Sequence, residues 1–364
     1  MLKCCLIARN LPPLVGGIEN MMASTLRATP DIEWTVIGPA GSRKLIQQPN
    51  LRVFELPLNP LLFLALAALL APYLALRYRF DWIIGSSGGM ALNVRWLKAL
   101  AHAHSLIFLH GKDIVTSQWL YRNLFWKSAK VADVISVNSS NTKELATNHG
   151  VEQSKIVIIP PCINEPESAA EPTKPAAKPV IVYSGRIVPR KGLLEWLEKS
   201  SNWVRTNNFE IWIVGDQPLG QLGGTQKDYL SKIQALISNT DLTRHVRFFG
   251  RVSNEEMAQK VSKSKVHIMP LVETPGDIEG FGMVAIEAAL LGIPTVAFRV
   301  GGVVDAIPNA EDLICAEDYD QFNRRLEFHL NQSRQSGNHL VRFAQQFTRS
   351  PYREKVLSVL EARS

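Results

Sequence analysis

Two glutamates, Glu279 and Glu287, stand eight positions apart in the stretch GDIEGFGMVAIEAALLGIP, residues 276–294. Gly280 and Gly282 flank Phe281 between them, so the backbone there can approach a ligand closely, and a helix pattern starts near Met283. The start of such a helix offers free amides at the positive end of its dipole, where a phosphate is stabilised. Glu287 lies one turn into the helix and Glu279 before the turn. One carboxylate can therefore accept from sugar hydroxyls and the other from a ribose on the opposite side of the phosphates. The competing reading is two exposed glutamates around a helix cap, with Gly292 and Pro294 ending the helix.

A second group lies upstream in SGRIVPRKG. Arg186 and Lys191 are five apart around a turn containing Pro189 and Gly192, so both cations can converge on one anion, Arg as a fork and Lys as a point charge. Solvated surface charge is the alternative, and Arg190 is expected to face solvent. Near the start, NLPPLVGGIEN places Gly16 and Gly17 at the head of a helix pattern after stiff Pro12-Pro13. Bare amides there suit a phosphate, or simply a tight turn. No GxGxxG follows the first strand, which argues against a dinucleotide site.

These residues sit at the ends of short apolar runs. LKCCLIAR, EWTVIGP, RVFELP, DWIIGSS, SLIFLHG and VISVNSS come first, then PVIVYSGR, EIWIVGD, VRFFGR, VHIMP and PTVAFR, each separated by helix-length stretches. The pattern is that of buried parallel strands with crossover helices, and at 364 residues it predicts two doubly wound α/β domains. NEPESAAEPTKPAAKP, residues 164–179, is rich in Pro and Ala without periodicity and reads as the interdomain linker. Domains are thus expected at 1–165 and 180–349 around a linker at 166–179, with the last helix, about 350–364, packing back on the first domain.

Formal charge is +7, and it is uneven: through Glu165 the chain carries 16 Lys+Arg against 10 Asp+Glu, and beyond it 24 against 23. A basic first half suits an anionic substrate or membrane surface, and the absence of a clustered basic arm or known motif speaks against nucleic acid. Cys4, Cys5, Cys162 and Cys315 show neither metal spacing nor a disulfide frame, consistent with a reducing cytosol. The apolar N-terminal run before Arg9 is too short for a signal-peptide core. LLFLALAALLAPYLAL, residues 61–76, is short for a spanning helix and interrupted by Pro72. It reads either as a buried crossover helix or, with Arg77 and Arg79 beside it, as a surface docking on a bilayer that carries anionic lipid.

EGFGMVAIE resembles the E-x7-E signature of the family 4 retaining glycosyltransferases of GT-B fold, and SGRIVPRKG resembles their phosphate-gripping loop. The Gly16-Gly17 loop, LHGKD, VNSSNTKEL, KIVIIPPCIN, VGD and the VGG turn at 300–302 fall in that family's order. One departure is Pro161-Cys162-Ile163-Asn164, where the family usually ends its first domain in Asn-Gly-Ile-Asp. The resemblance implies two Rossmann-like domains facing a central cleft, an acceptor-side first domain and a donor-binding second. It assigns the donor diphosphate to Arg186, Lys191 and the amides around Gly282, Met283 and Val284, the transferred sugar to Glu279, and the ribose to Glu287. Gly16 and Gly17 would meet the phosphates from the first domain, His110 would lie near the transferred sugar, and Val252 beside the base. Without the resemblance, His110 reads as a satisfied strand-end histidine.

The implied reaction is retaining hexosyl transfer from a UDP- or GDP-sugar to a glycan or lipid-linked glycan, by same-face attack. No protein nucleophile, metal or organic cofactor is expected, and no Asp-x-Asp pair is read at a strand end; Asp113 is the first-domain carboxylate to watch as an acceptor ligand or base. The protein is expected in the cytoplasm, peripheral to the inner membrane. An epimerase or phosphorylase on the same fold, or a nucleotide-binding scaffold without turnover, are the rival readings.

Overall fold

The computed structural model describes residues 1–46, 48–165, 176–217, 228–333 and 337–362. It divides into two units, Met1–Asn164 with Phe347–Ser364, and Glu165–Gln346. The expected linker lies outside the described residues except for 176–179.

Unit 1 is built on seven strands: β1 Lys3–Ile7, β2 Glu33–Pro39, β3 Leu51–Leu56, β4 Trp82–Gly85, β5 His104–Leu109, β6 Val134–Val137 and β7 Ile156–Ile158. All pair in parallel, in the order β3-β2-β1-β4-β5-β6-β7, with Cys4 of β1 opposite both Trp34 and Trp82. Between them run α1 Gly17–Ala28, α2 Ser42–Leu45, α3 Pro60–Arg77, α4 Ala91–Ala101, α5 Gly111–Val115, α6 Lys127–Lys130 and α7 Ser140–Asn148. Near-continuous Val, Ile and Leu runs make this possible, because helices cover both faces of the sheet. One face gathers Phe63, Ile83, Leu97 and Trp126, the other Trp34, Trp82 and Phe108.

Unit 2 repeats the plan with six parallel strands, β8 Val180–Ser184, β9 Glu210–Val214, β10 Val246–Gly250, β11 Val266–Met269, β12 Thr295–Phe298 and β13 Leu313–Ile314, ordered β10-β9-β8-β11-β12-β13. Its helices are α8 Leu193–Thr206, α9 Tyr229–Asn239, α10 Asn254–Ser262, α11 Met283–Leu290, α12 Tyr319–Asn331 and α13 Asn338–Ala344. The chain then returns to unit 1 as α14, Arg349–Glu361, which buries Tyr352, Val356 and Leu360 against the Trp82 face. Trp82 Nε1 donates to Leu360 O at 3.0 Å, and the Tyr352 and Thr25 hydroxyls bond at 2.6 Å.

In each sheet the strand order reverses once, between β1 and β4 in unit 1 and between β8 and β11 in unit 2. Loops leaving the carboxyl ends of such neighbours diverge to opposite faces and open a crevice for ligand. The strand order therefore points to the Gly16-Gly17 loop in unit 1 and the Arg186 loop in unit 2.

Helix α3 departs from a buried crossover. Asn59 caps it, its side chain accepting from Leu62 N at 3.1 Å, and Pro60 occupies the first turn, where a missing N–H costs nothing. Only Phe63, Ala67, Ala71 and Leu74 are buried, a stripe recurring every three or four residues, while Leu61, Leu69 and Leu76 on other sides stand open. A helix apolar all round cannot hide more than one face beneath a single sheet.

Candidate active site

In unit 2, β8 runs out through Gly185 and the exposed Arg186, turns at Pro189–Lys191 and enters α8. Lys191 is buried and its Nζ lies 2.8 Å from Glu279 Oε2. Arg190 does not face solvent. It is 7 % exposed, pairs through Nη1 with the same Glu279 oxygen, and holds Asp277 Oδ2 with Nε at 3.2 Å. The physical reason is tertiary: Val272 N donates to Arg190 O at 3.1 Å, so the segment leaving β11 runs along this turn and lays two carboxylates over the guanidinium. A buried cation persists only with such partners, and these lie up to 89 residues away in sequence.

Burial alone would raise the Glu279 carboxyl, but Lys191 and Arg190 overcome it and hold the group at about 2. Lys191 moves down, chiefly through burial, with Glu279 opposing. Glu279 is also fixed through its backbone: Gly302 N donates to Glu279 O at 2.8 Å, and Gly301, at φ +65°, approaches so closely that an added Cβ would meet that oxygen at 2.5 Å. Only glycine fits there, which gives the VGG turn a local purpose.

Helix α11 is N-capped by Gly282, left-handed at φ +95°, which has no side chain to cap the first amides. Met283 and Val284 therefore present uncapped N–H groups, and the Val284 side chain lies against Gly185 at the root of the Arg186 loop. Glu287, one turn on, has its carboxyl raised by burial and pulled back by Lys191. Arg186, Lys191, Glu279, Glu287 and the α11 amides are thus assembled by one turn, one strand exit and one helix start. Val252 packs against the cluster of Val182, Val214, Ile293 and Ala288, the last of these next to Glu287 on α11.

Sequence reasoning missed His267 on β11. It is fully buried between Ser184 Oγ (3.1 Å) and Thr295 Oγ1 (3.1 Å), and burial, reinforced by Lys191, lowers it from 6.5 to about 3. It is a neutral spacer beneath the cations, and the only signal for it was its place inside VHIMP. An Asp-x-Asp pair does follow β13: Asp318 and Asp320. Asp318, however, opens α12, its Oδ1 accepting from Gln321 N at 2.9 Å, and among the described residues no three His, Cys, Asp or Glu side chains group for a metal.

In unit 1, α1 starts at Gly17 with Gly16 as an uncapped N-cap, and the Glu19 carboxylate folds back against Gly16. His110 is buried at the end of β5, its Nε2 2.9 Å from Ser86 O and its Nδ1 3.5 Å from Asn138 Nδ2. Asp113 accepts from the amides of Gly88 and His110, both at 3.1 Å, and from the Tyr121 hydroxyl at 3.1 Å. Its carboxylate is thereby committed to holding the loop that carries His110. Ser86 Oγ and Asn138 Oδ1 are buried without a hydrogen-bond partner among the described residues, a cost of about 1–3 kcal/mol each that a bound polar group would relieve. Asn138 was legible only as part of VNSSNTKEL.

The family pattern described as "Glycosyl transferases group 1" matches residues 164–347, and "Glycosyltransferase Family 4" matches 15–166. The GDP-mannose-dependent alpha-(1-6)-phosphatidylinositol monomannoside mannosyltransferase of Mycolicibacterium smegmatis is 28 % identical over 211 residues, 54 % of this chain and 53 % of that protein. The chain thus spans about half the length of this curated relative. Among solved structures, Anabaena HepE in complex with UDP superposes with a TM-score of 0.80 at 17 % identity, covering 100 % of both chains. The lipopolysaccharide outer core galactosyltransferase WaaB does so at 0.74 and 17 %, again over 100 % of each. These likenesses give the fold: two parallel Rossmann-like sheets of the GT-B fold. With its two patterns together spanning residues 15–347, and with the SGRIVPRKG turn and the two-glutamate turn assembled in unit 2, the chain belongs to the group 1, family 4 glycosyltransferases.

Proposed function

We propose that the protein is a retaining glycosyltransferase that moves a hexose from a UDP- or GDP-sugar to a glycan or lipid-linked glycan of a cell envelope or surface polysaccharide. The observation that carries this reading is the convergence of Lys191 and Glu279 beside the uncapped start of α11, with Arg186 exposed next to them. The names of its relatives support it: one uses GDP-mannose on a phosphatidylinositol mannoside, another is a lipopolysaccharide galactosyltransferase, and a third fold was solved with UDP.

In this reading Arg186 and Lys191 take the donor diphosphate, and the Met283 and Val284 amides receive the charge that grows on the β-phosphate as the glycosidic bond breaks. Both buried cations hold Oε2 of Glu279, which leaves Oε1 to accept from hydroxyls of the transferred sugar. Glu287 takes the ribose. Gly16 and Gly17 approach the phosphates, and His110 orients the sugar. The acceptor oxygen attacks on the face the phosphate leaves, and a phosphate oxygen accepts the acceptor's proton, so the anomeric configuration is kept without a protein nucleophile.

The test is transfer from UDP- and GDP-hexoses to a panel of lipid-linked and free glycans, with the anomeric configuration of the product read by NMR. Retention with nucleoside diphosphate released only when acceptor is present is expected, and Arg186→Ala should lower the rate about 100-fold or more. Unchanged transfer by both Arg186→Ala and Glu279→Ala would sink the assignment, and acceptor-independent conversion of the donor would move the reading to an epimerase or phosphorylase.

A further inference from the structure

The outer side of α3 carries Leu62, Leu69, Tyr73 and Leu76, spaced seven, four and three apart, and therefore forms one exposed stripe opposite the buried Phe63, Ala67, Ala71 and Leu74. Leu69 is 75 % exposed and Leu76 91 %. Neighbouring α4 extends this surface with exposed Leu92, Trp96 and Leu100, four apart, and Trp96 Nε1 donates to Ala68 O at 3.2 Å, so the two helices present one continuous apolar face. Arg77 and Arg79 close the end of α3, and Arg95 borders the face on α4; all three are exposed. From residue 56 to 112 the only acidic residue is Asp81, and its carboxylate accepts from Lys3 N.

We infer that unit 1 docks on an anionic lipid bilayer through the α3–α4 face, with the leucines and Trp96 at the acyl boundary and Arg77, Arg79 and Arg95 at the phosphates. By length and composition α3 would suffice to cross a membrane. Its inner face, however, belongs to the core of unit 1, so it offers the bilayer one side only, as an interfacial helix does. A second copy of the chain is a poorer occupant. A twofold contact through this face would set the arginine rim against its own copy, and residues 56–112, which hold both helices, supply a single carboxylate, Asp81, to offset it. This inference stands on unit 1 alone and does not depend on the donor chemistry proposed for unit 2.

The test is co-sedimentation of the 364-residue chain with vesicles of phosphatidylcholine alone or mixed with phosphatidylglycerol, at low and high salt. Wild type should pellet with the mixed vesicles and be released by salt, which screens exposed charge. Arg77→Glu/Arg79→Glu should weaken binding by at least about fivefold per arginine. Leu69→Glu/Leu76→Glu should abolish it while circular dichroism and nucleotide binding stay as in wild type, since both side chains point away from the core. Three results would overturn the inference. They are wild type left in the supernatant with mixed vesicles, the leucine variant pelleting like wild type, or a dimer in sedimentation velocity that the leucine substitutions dissociate without any vesicle binding.

Discussion

Glu279 accepts from two buried cations on one oxygen, and this separates stability from ligand binding among the site residues. Glu279→Gln leaves Lys191 and Arg190 buried without their shared counter-charge and should cost about 3–5 kcal/mol in urea denaturation. Exposed Arg186→Ala should cost less than about 0.5 kcal/mol yet lose the donor diphosphate. Acid should act through the same cluster. His267 is neutral in the fold, down at about 3, while the unfolded chain takes up a proton near 6.5. Stability therefore falls as pH drops from 6.5 toward 3, and Glu279, lowered from 4.5 to about 2, adds its own loss as pH falls from 4.5 toward 2. The urea midpoint should decline between pH 7 and 5, and His267→Asn should flatten that slope; an unaltered slope would contradict the neutral-spacer assignment.

At the scale of elements, the turns that hold the carboxylates matter as much as the carboxylates. Gly301→Ala combines a left-handed backbone with a Cβ against Glu279 O and should cost about 1–3 kcal/mol and shift Glu279. Gly276→Ala, also at positive φ but with open space around it, is the control that carries only the backbone term. Equal effects of the two on nucleotide-sugar affinity would show that the VGG turn does not position Glu279. Eleven strands were legible as apolar runs because buried parallel strands need no partner to announce themselves. β7 and β13, three and two residues at sheet edges, were too short to show. Arg190 was misread because its acidic partners arrive from β11's exit, a contact no local window contains, and Asn138 and His267 were overlooked because a buried polar residue on a strand looks like any other until its partners are known.

At the scale of the whole molecule, the chain leaves unit 1 after Asn164 and returns at Phe347, where Ile163 N donates to Phe347 O at 2.8 Å. The last helix is therefore part of the first unit's core, and Leu360→Ala should cost about 2–5 kcal/mol and lower the unfolding of unit 1 without altering nucleotide binding in unit 2. The central claim is that unit 2 grips a nucleoside diphosphate. Calorimetric titration of UDP, GDP and ADP into wild type and into Arg186→Ala/Lys191→Ala tests it most directly. The account predicts preferential binding of UDP or GDP by wild type and its loss in the double variant; no binding of any of the three by folded wild type, or equal binding by the variant, would contradict it.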